Sequence, residues 1–437
     1  MSTDMTKGSL AKALVMFSLP LVLSGLMQQL YSWADAFIVG NVEGELPLAA
    51  IGATVNISAF AIMMITGFTL GVSILAAQLY GEGERAELKK VLSSFLLVLG
   101  AMFLAVSVAG MLLADEILRL LSTPDDIFFI ARDYLRITLA GIPFLLVYNV
   151  YSAVLRGMGD SRTQFLAILI SSLTNILLDI LFVAVFRYGA SGAAVATVIS
   201  QALMAIFIVA YSVRKYEAMR FGPGQGLLDR RILSRGLGLS LPMAIQYSVH
   251  SAGNLVLQNF MNGFGTLTVA AITTAYRVDS VILLPITNLG AGIAIVVAQN
   301  VGAGNRQRAV KGLYVGAIIM AAVSIVLTAI IVPTGGAMVS MFGVSAEAAR
   351  IGRNFFGIIA LFYLPFGIAT AIKGYLEGKG DVLFSGLVSL LALGLRIALS
   401  YGLVDHYGND VIAYAEAFSW LALLLMCLIR FLCVRKR

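Results

Sequence analysis

Four of the 23 acidic residues in this 437-residue chain, Asp35, Asp179, Asp279 and Glu416, stand inside long apolar stretches. A charge at the centre of a bilayer costs about 2.5–3.5 kcal/mol on insertion scales, so each needs a partner or a purpose. Arg277 and Arg396 also fall inside apolar stretches of the second half, and buried charges are usually paired. Arg277 and Asp279 are two residues apart and cannot share a helix face, which makes Arg396 and Glu416 the partners expected across helices. Asp35 and Asp179 have no base in the apolar stretches of the first half. Asn175, four residues before Asp179, stacks on the same helix face. Asp179 lies nine residues before a turn at Tyr188 and Thr197 nine residues after it. In an antiparallel hairpin this gives equal depth, roughly 13 Å from the turn at about 1.5 Å per residue. Asp35, about six residues before the outer end of the first stretch, falls in the same zone. The expected cluster is therefore Asp35, Asn175, Asp179 and Thr197. Two carboxylates in a low-dielectric site cannot both stay charged unaided: one carries a proton, or both coordinate a cation such as Na⁺. The oxygens of Asn175 and Thr197 suit either outcome. Proton or cation arrival would change the charge on the first helix, which Pro20 allows to bend.

The elements that must position these residues follow from composition. The chain is 59% hydrophobic and 12% charged, with a mean hydropathy of +0.93. Soluble domains are about 45–50% apolar and about 25% charged, so a water-soluble globular protein is excluded. Disorder, a disulfide scaffold and collagen are excluded as well. Cys427 and Cys433 read as apolar fillers. Twelve apolar spans of about 20 residues are centred near residues 27, 64, 102, 145, 175, 202, 250, 284, 322, 364, 394 and 421. With both termini on one side, that side collects 22 Lys and Arg and the other collects six, which predicts cytoplasmic termini in a multi-pass protein of the cell (inner) membrane. The net charge of +7 is thus a topology signal and a means of meeting anionic lipid, with no nucleic-acid partner expected.

The chain repeats itself. At a shift of 221 residues Gln78, Gly81, Gly83, Arg85 and Lys90 return as Gln299, Gly302, Gly304, Arg306 and Lys311, and Gly157, Gly159 and Asp160 return as Gly378, Gly380 and Asp381. At 222, Ser18-Leu19-Pro20 returns as Ser240-Leu241-Pro242. The expected fold class is an all-α integral membrane protein of twelve transmembrane helices in two six-helix bundles, related by a pseudo-twofold axis along the membrane normal. The expected ranges are 1–212 for the N-terminal bundle, 213–236 for a cytoplasmic linker around Gly222-Pro223-Gly224, and 237–437 for the C-terminal bundle. No phosphate-cradling GxxxxGK[ST], HExxH or GxSxG pattern occurs, and there are only two histidines. Neither ATP hydrolysis nor another enzymatic activity is expected, and no cofactor is implied.

These features resemble the MATE family, the multidrug and toxic compound extrusion transporters of bacterial or archaeal type. The resemblance is carried by SLPLVLSGLMQQLYSWADAFIVGN at 18–41, AAQLYGEGERAELKK at 76–90, LRGMGDSRTQF at 155–165, NILLDI and GAAVATVIS within 175–200, AYRVDS at 275–280 and VVAQNVGAGNRQ at 296–307. It implies a V of two bundles, a central cavity and alternating access. It also implies export of small amphiphilic, often cationic, organic compounds in exchange for inward H⁺ or Na⁺, with membrane lipid as surroundings and no obligate protein partner. Carried over by position, the cation site falls on Asp35, Asn175, Asp179 and Thr197, and Gln28 and Tyr31 match cavity-lining positions of the first helix. Where several members carry acids in the seventh and tenth helices, this chain has His250 and an apolar stretch around Phe366. His250, Arg277 and Asp279 form a candidate polar site in the C-terminal bundle. A lipid-linked sugar flippase of the same superfamily is the alternative reading, which expects basic cavity residues such as Arg277, Arg396 and Lys373. An intramembrane enzyme is a further one.

Overall fold

The computed structural model describes residues 4–220 and 228–435, so the middle of the expected linker, residues 221–227, lies outside the described residues. Among the described residues there is no β-strand, and twelve long helical segments follow one another. The first six are α1 (Leu10–Glu43), α2 (Glu45–Glu82), α3 (Glu87–Leu112), α4 (Asp125–Gly157), α5 (Arg162–Val185) and α6 (Gly189–Lys215). The second six are α7 (Arg230–Asn262), α8 (Thr266–Ile282 and Leu284–Gly302), α9 (Arg306–Ser340), α10 (Ala346–Lys379), α11 (Val382–Gly402) and α12 (Val404–Val434). Eleven of these contain a stretch long and apolar enough to cross a membrane. The exception, α7, places Gln246, His250, Asn254 and Gln258 at four-residue intervals, which gives one face of the helix a polar stripe.

Packing divides the chain into two units. Unit 1 comprises Leu23–Ala244, and unit 2 the segment ending at Val22 together with the residues from Ile245 onward. Both divisions fall two residues after a proline inside a helix, Pro20 in α1 and Pro242 in α7. Proline removes one backbone hydrogen bond and crowds the preceding turn, so each helix is weakest where it passes from one unit to the other.

The repeated glycines have a common physical cause. Gly83 and Gly304 close the ends of α2 and α8 at φ 84° and 71°, and Gly159 and Gly380 close those of α4 and α10 at φ 80° and 98°. Only glycine adopts this left-handed conformation without strain, which is why it ends helices. Gly157 and Gly378 serve packing instead. A Cβ on Gly157 would lie 2.5 Å from that of Ala76 and one on Gly378 2.8 Å from that of Val297, so α4 crosses α2, and α10 crosses α8, at backbone-to-backbone range.

Candidate cation site

Within unit 1, α1, α5 and α6 bring together the four residues expected from the sequence. Asp179 is fully buried, Asn175 nearly so, and Asp35 and Thr197 half-buried. Asp35 and Asp179 lie within electrostatic reach of each other. The Asn175 amide donates to Thr197 Oγ1 at 3.4 Å. Thr197 therefore meets Asn175, one turn deeper than the equal-depth estimate that paired it with Asp179. The cause is local: α5 ends in a π-helical turn over Ile180–Val185, whose i to i+5 bonding makes a helix wider and shorter per residue. That turn lifts Asp179 toward the hairpin end, and the π-turn itself is a feature often found at functional sites.

Four oxygens at this cluster, Asp35 Oδ1, both carboxylate oxygens of Asp179 and Asn175 Oδ1, are buried with no protein hydrogen-bond donor. Buried polar atoms are almost always paired, and a group with two carboxylates and two neutral oxygens can satisfy itself with a proton or a monovalent cation. Tyr31 and Tyr134 stand within electrostatic reach of both aspartates. Gln28 and Tyr31 line one small cavity, of about 40 Å³, with Asn175 and Thr197. Toward the turn between α5 and α6 the surroundings of the acids are apolar: Val39, Val183, Ala190, Ala193 and Ala194 pack with Tyr134 and Ile51. Val39 and Val183 are each one turn beyond their aspartate. Among the described residues no group of three or more His, Cys, Asp or Glu is placed to hold a metal ion.

Unit 2 treats its acids differently. Arg396 donates to Glu416 Oε2 at 2.8 Å and to the Tyr276 hydroxyl at 2.7 Å, and the Tyr363 hydroxyl donates to Asp279 Oδ1 at 2.5 Å. Arg396 and Glu416 pair as the sequence suggested. Tyr363, fully buried against Trp420, was not anticipated, since its 84-residue separation from Asp279 leaves no spacing signal. The structure does not gather His250, Arg277 and Asp279 into one site. His250 is exposed on α7 with the cations Arg396 and Lys373 as electrostatic neighbours, Arg277 is exposed beside a surface pocket with Asn262 and Thr266, and Asp279 is buried against Tyr363.

The duplicated halves are matched by known proteins. A model of the MatE family matches residues 20–181 and again residues 242–402, two copies that start 222 residues apart. The chain belongs to the MatE family. Among its relatives, the probable multidrug resistance protein YpnP of Bacillus subtilis is 28% identical over 390 residues, covering 89% of this chain and 87% of the relative. The multidrug export protein MepA of Staphylococcus aureus is 23% identical over 431 residues, covering 96% and 94%. A solved outward-facing structure of a multidrug resistance MATE family transporter of the MOP superfamily superposes with a TM-score of 0.91 at 21% identity, covering all of both chains. At that identity the likeness establishes the fold, twelve transmembrane helices in two bundles. This MatE protein is accordingly a multi-pass membrane transporter.

Proposed function

We propose that this MatE protein is a secondary antiporter that exports small amphiphilic, cationic organic compounds in exchange for inward H⁺ or Na⁺, by alternating access. The observation that carries the reading is the meeting of Asp35, Asp179, Asn175 and Thr197 inside unit 1 with four buried oxygens that lack a protein partner. A structural polar core would close its own hydrogen bonds; this one offers oxygens to something that comes and goes. Occupancy by a proton or Na⁺ neutralises charge on α1, whose proline supplies the place to bend. The names of the relatives, multidrug resistance and multidrug export proteins, support the substrate class. The Lys and Arg distribution supports cytoplasmic termini in the cell membrane. The flippase reading loses support from the committed state of two of its three bases: Arg396 is bonded to Glu416 at 2.8 Å and Lys373 lies 3.6 Å from Glu377.

The test is efflux from proteoliposomes with a pH gradient and a sodium gradient imposed separately. Exchange driven by one of them, lost in Asp35→Asn and in Asp179→Asn while both variants stay folded, is the expected result. Full efflux in both variants refutes the reading.

A further inference from the structure

The acid pair is sealed on one flank and polar on the other. Toward the turn between α5 and α6, Val39, Val183 and the alanines of α6 form a dry plug. In the opposite direction, toward the turn at Asp160, the interior face of α5 carries Asp179, Asn175, Ser172, Ile168 and Gln164, spaced by four, three, four and four residues and hence on one face. From Asp179 to Gln164 this is roughly 22 Å at about 1.5 Å per residue, most of a hydrocarbon core of about 30 Å. The polar members are all at least nine-tenths buried. Each has a side-chain oxygen with no protein hydrogen-bond partner: Asn175 Oδ1, Ser172 Oγ and Gln164 Oε1, as well as both oxygens of Asp179.

Neighbouring helices extend the same file. The 40 Å³ cavity runs beside Asn175, Ser172 and Ile168 and is also lined by Ser200 and Gln201 of α6, and the buried Gln201 Oε1 has no partner either. One water needs about 10–15 Å³ of such volume, so the cavity has room for roughly three or four. Beyond Ile168, the Tyr148 hydroxyl lies close enough to Ser152 and Gln164 to interact with both, while the Tyr148 and Ser152 hydroxyl oxygens and Gln164 Oε1 are buried with no hydrogen-bond partner of ordinary geometry. Orphaned oxygens in a polar interior are where buried water is found.

We infer that this file, from Asp179 through Asn175, Ser172 and Gln201 to the Tyr148–Ser152–Gln164 cluster, is a hydrated proton route joining the acid pair to the face that carries Asp160. The inference rests on the antiport reading above and selects the proton within it. Hydroxyls and waters both donate and accept, so a proton passes along them by successive transfers, each oxygen releasing one proton as it takes another. A Na⁺ ion would need a shell of close oxygens at every step, and no carboxylate stands between Asp179 and the far mouth on this face of α5. The charged groups at that mouth are Arg156, one turn beyond Ser152, and Asp160, the latter bonded to Lys215 at 2.9 Å. The fixed positive charge of Arg156 keeps the file a conductor and leaves residence of the proton to the aspartates.

The test has two arms. In proteoliposomes with a pH gradient, Ser172→Val and Gln164→Leu are expected to lower drug efflux tenfold or more, Gln164→Leu with drug binding unchanged, and Ser172→Thr, which keeps the hydroxyl, to retain it. Independently of transport, in chains carrying Cys427→Ser and Cys433→Ser, the thiols introduced by Ser172→Cys and Gln164→Cys are expected to react with silver ions added on the Asp160 face, while that from Val183→Cys does not. Near-normal efflux in the apolar variants, or thiols at 164 and 172 that silver cannot reach from that face, overturns the route. If Asp35→Asn and Asp179→Asn abolish efflux in the same vesicles, that failure belongs to the route alone; if they do not, it is the antiport reading that has fallen.

Discussion

Units 1 and 2 descend from one repeated sequence and hold the same backbone devices, yet they dispose of intramembrane charge in opposite ways. Unit 2 closes its circuit: Arg396 spans Glu416 and Tyr276, and Tyr363 serves Asp279. Unit 1 leaves two aspartates within reach of each other with no base, and oxygens unpartnered. What the repeat retains is what the chain geometry demands, the left-handed glycines at 83/304 and 159/380 and the tight crossings at Gly157 and Gly378. What diverged is the chemistry. A charged cluster that is fully bonded is architecture, whereas one that is short of partners, as in unit 1, has oxygens to offer a ligand.

The comparison breaks most visibly if the unit 1 acids are neutralised. Asp179→Asn should reduce cation-driven efflux to background, with Asp35→Asn close behind, while the melting temperature stays the same or rises, because removing an unpaired buried charge relieves a desolvation cost. The paired measurements are vesicle efflux and thermal unfolding of the purified protein. The next effect in size belongs to unit 2 and has the other signature. Arg396→Met strands the Glu416 charge and should destabilise by about 3–5 kcal/mol, whereas the double variant Arg396→Met/Glu416→Leu should recover most of that loss, as buried pairs replaced together generally do. If instead the double variant folds well but no longer transports, unit 2 carries coupling chemistry and the contrast between the units is lost. Tyr363→Phe comes third: it removes the Asp279 donor at 2.5 Å and should cost about 1–3 kcal/mol, the price of an unsatisfied buried acceptor, with efflux kept in the molecules that fold.

Much of this was legible before the fold. Asp35, Asn175, Asp179 and Thr197 could be assembled because helix periodicity and hairpin depth are read directly off spacing, and the error of one turn at Thr197 traces to a π-turn that no periodicity announces. The span near residue 284 was correct in place but not in form, since α8 breaks at Leu283 just before Pro285, and α4 breaks at Gly141. The pairing of Asp279 with Tyr363 was out of reach, because a contact between helices far apart in sequence depends on which faces pack. Arg277, two residues from Asp279, points elsewhere for the reason the spacing gave: residues two apart lie on different faces. The polar face of α5 was present in the sequence as Gln164, Ser172, Asn175 and Asp179 at helical spacing, and only burial turned it from a pattern into a route.

The smallest expected effect concerns a feature the two units share. Asp160 accepts from Lys215 at 2.9 Å, from the Tyr216 hydroxyl at 2.6 Å and from Thr163 Oγ1 at 2.7 Å, stapling the turn after α4 to the end of α6. Its repeat partner Asp381 accepts from Arg430 at 2.7 Å and staples the turn after α10 to α12. Burial alone would raise the Asp160 carboxyl, but its hydrogen bonds from Tyr216, Lys215 and Thr163 together hold it below the ordinary value of 3.8. A carboxyl lowered in the folded state contributes stability that is fully present above its unfolded value and is lost as pH falls through the folded one. Wild-type protein should therefore keep this contribution at any pH above about 5 and lose it progressively below 3.8. In Asp160→Asn the acid-induced drop in melting temperature should shrink while stability near pH 7 falls, and the difference between the two unfolding curves should close as pH decreases. A difference that is constant with pH would mean that Asp160 holds the turn by shape and not by charge, and the staple in unit 1 would then differ in kind from the Arg430 ion pair in unit 2.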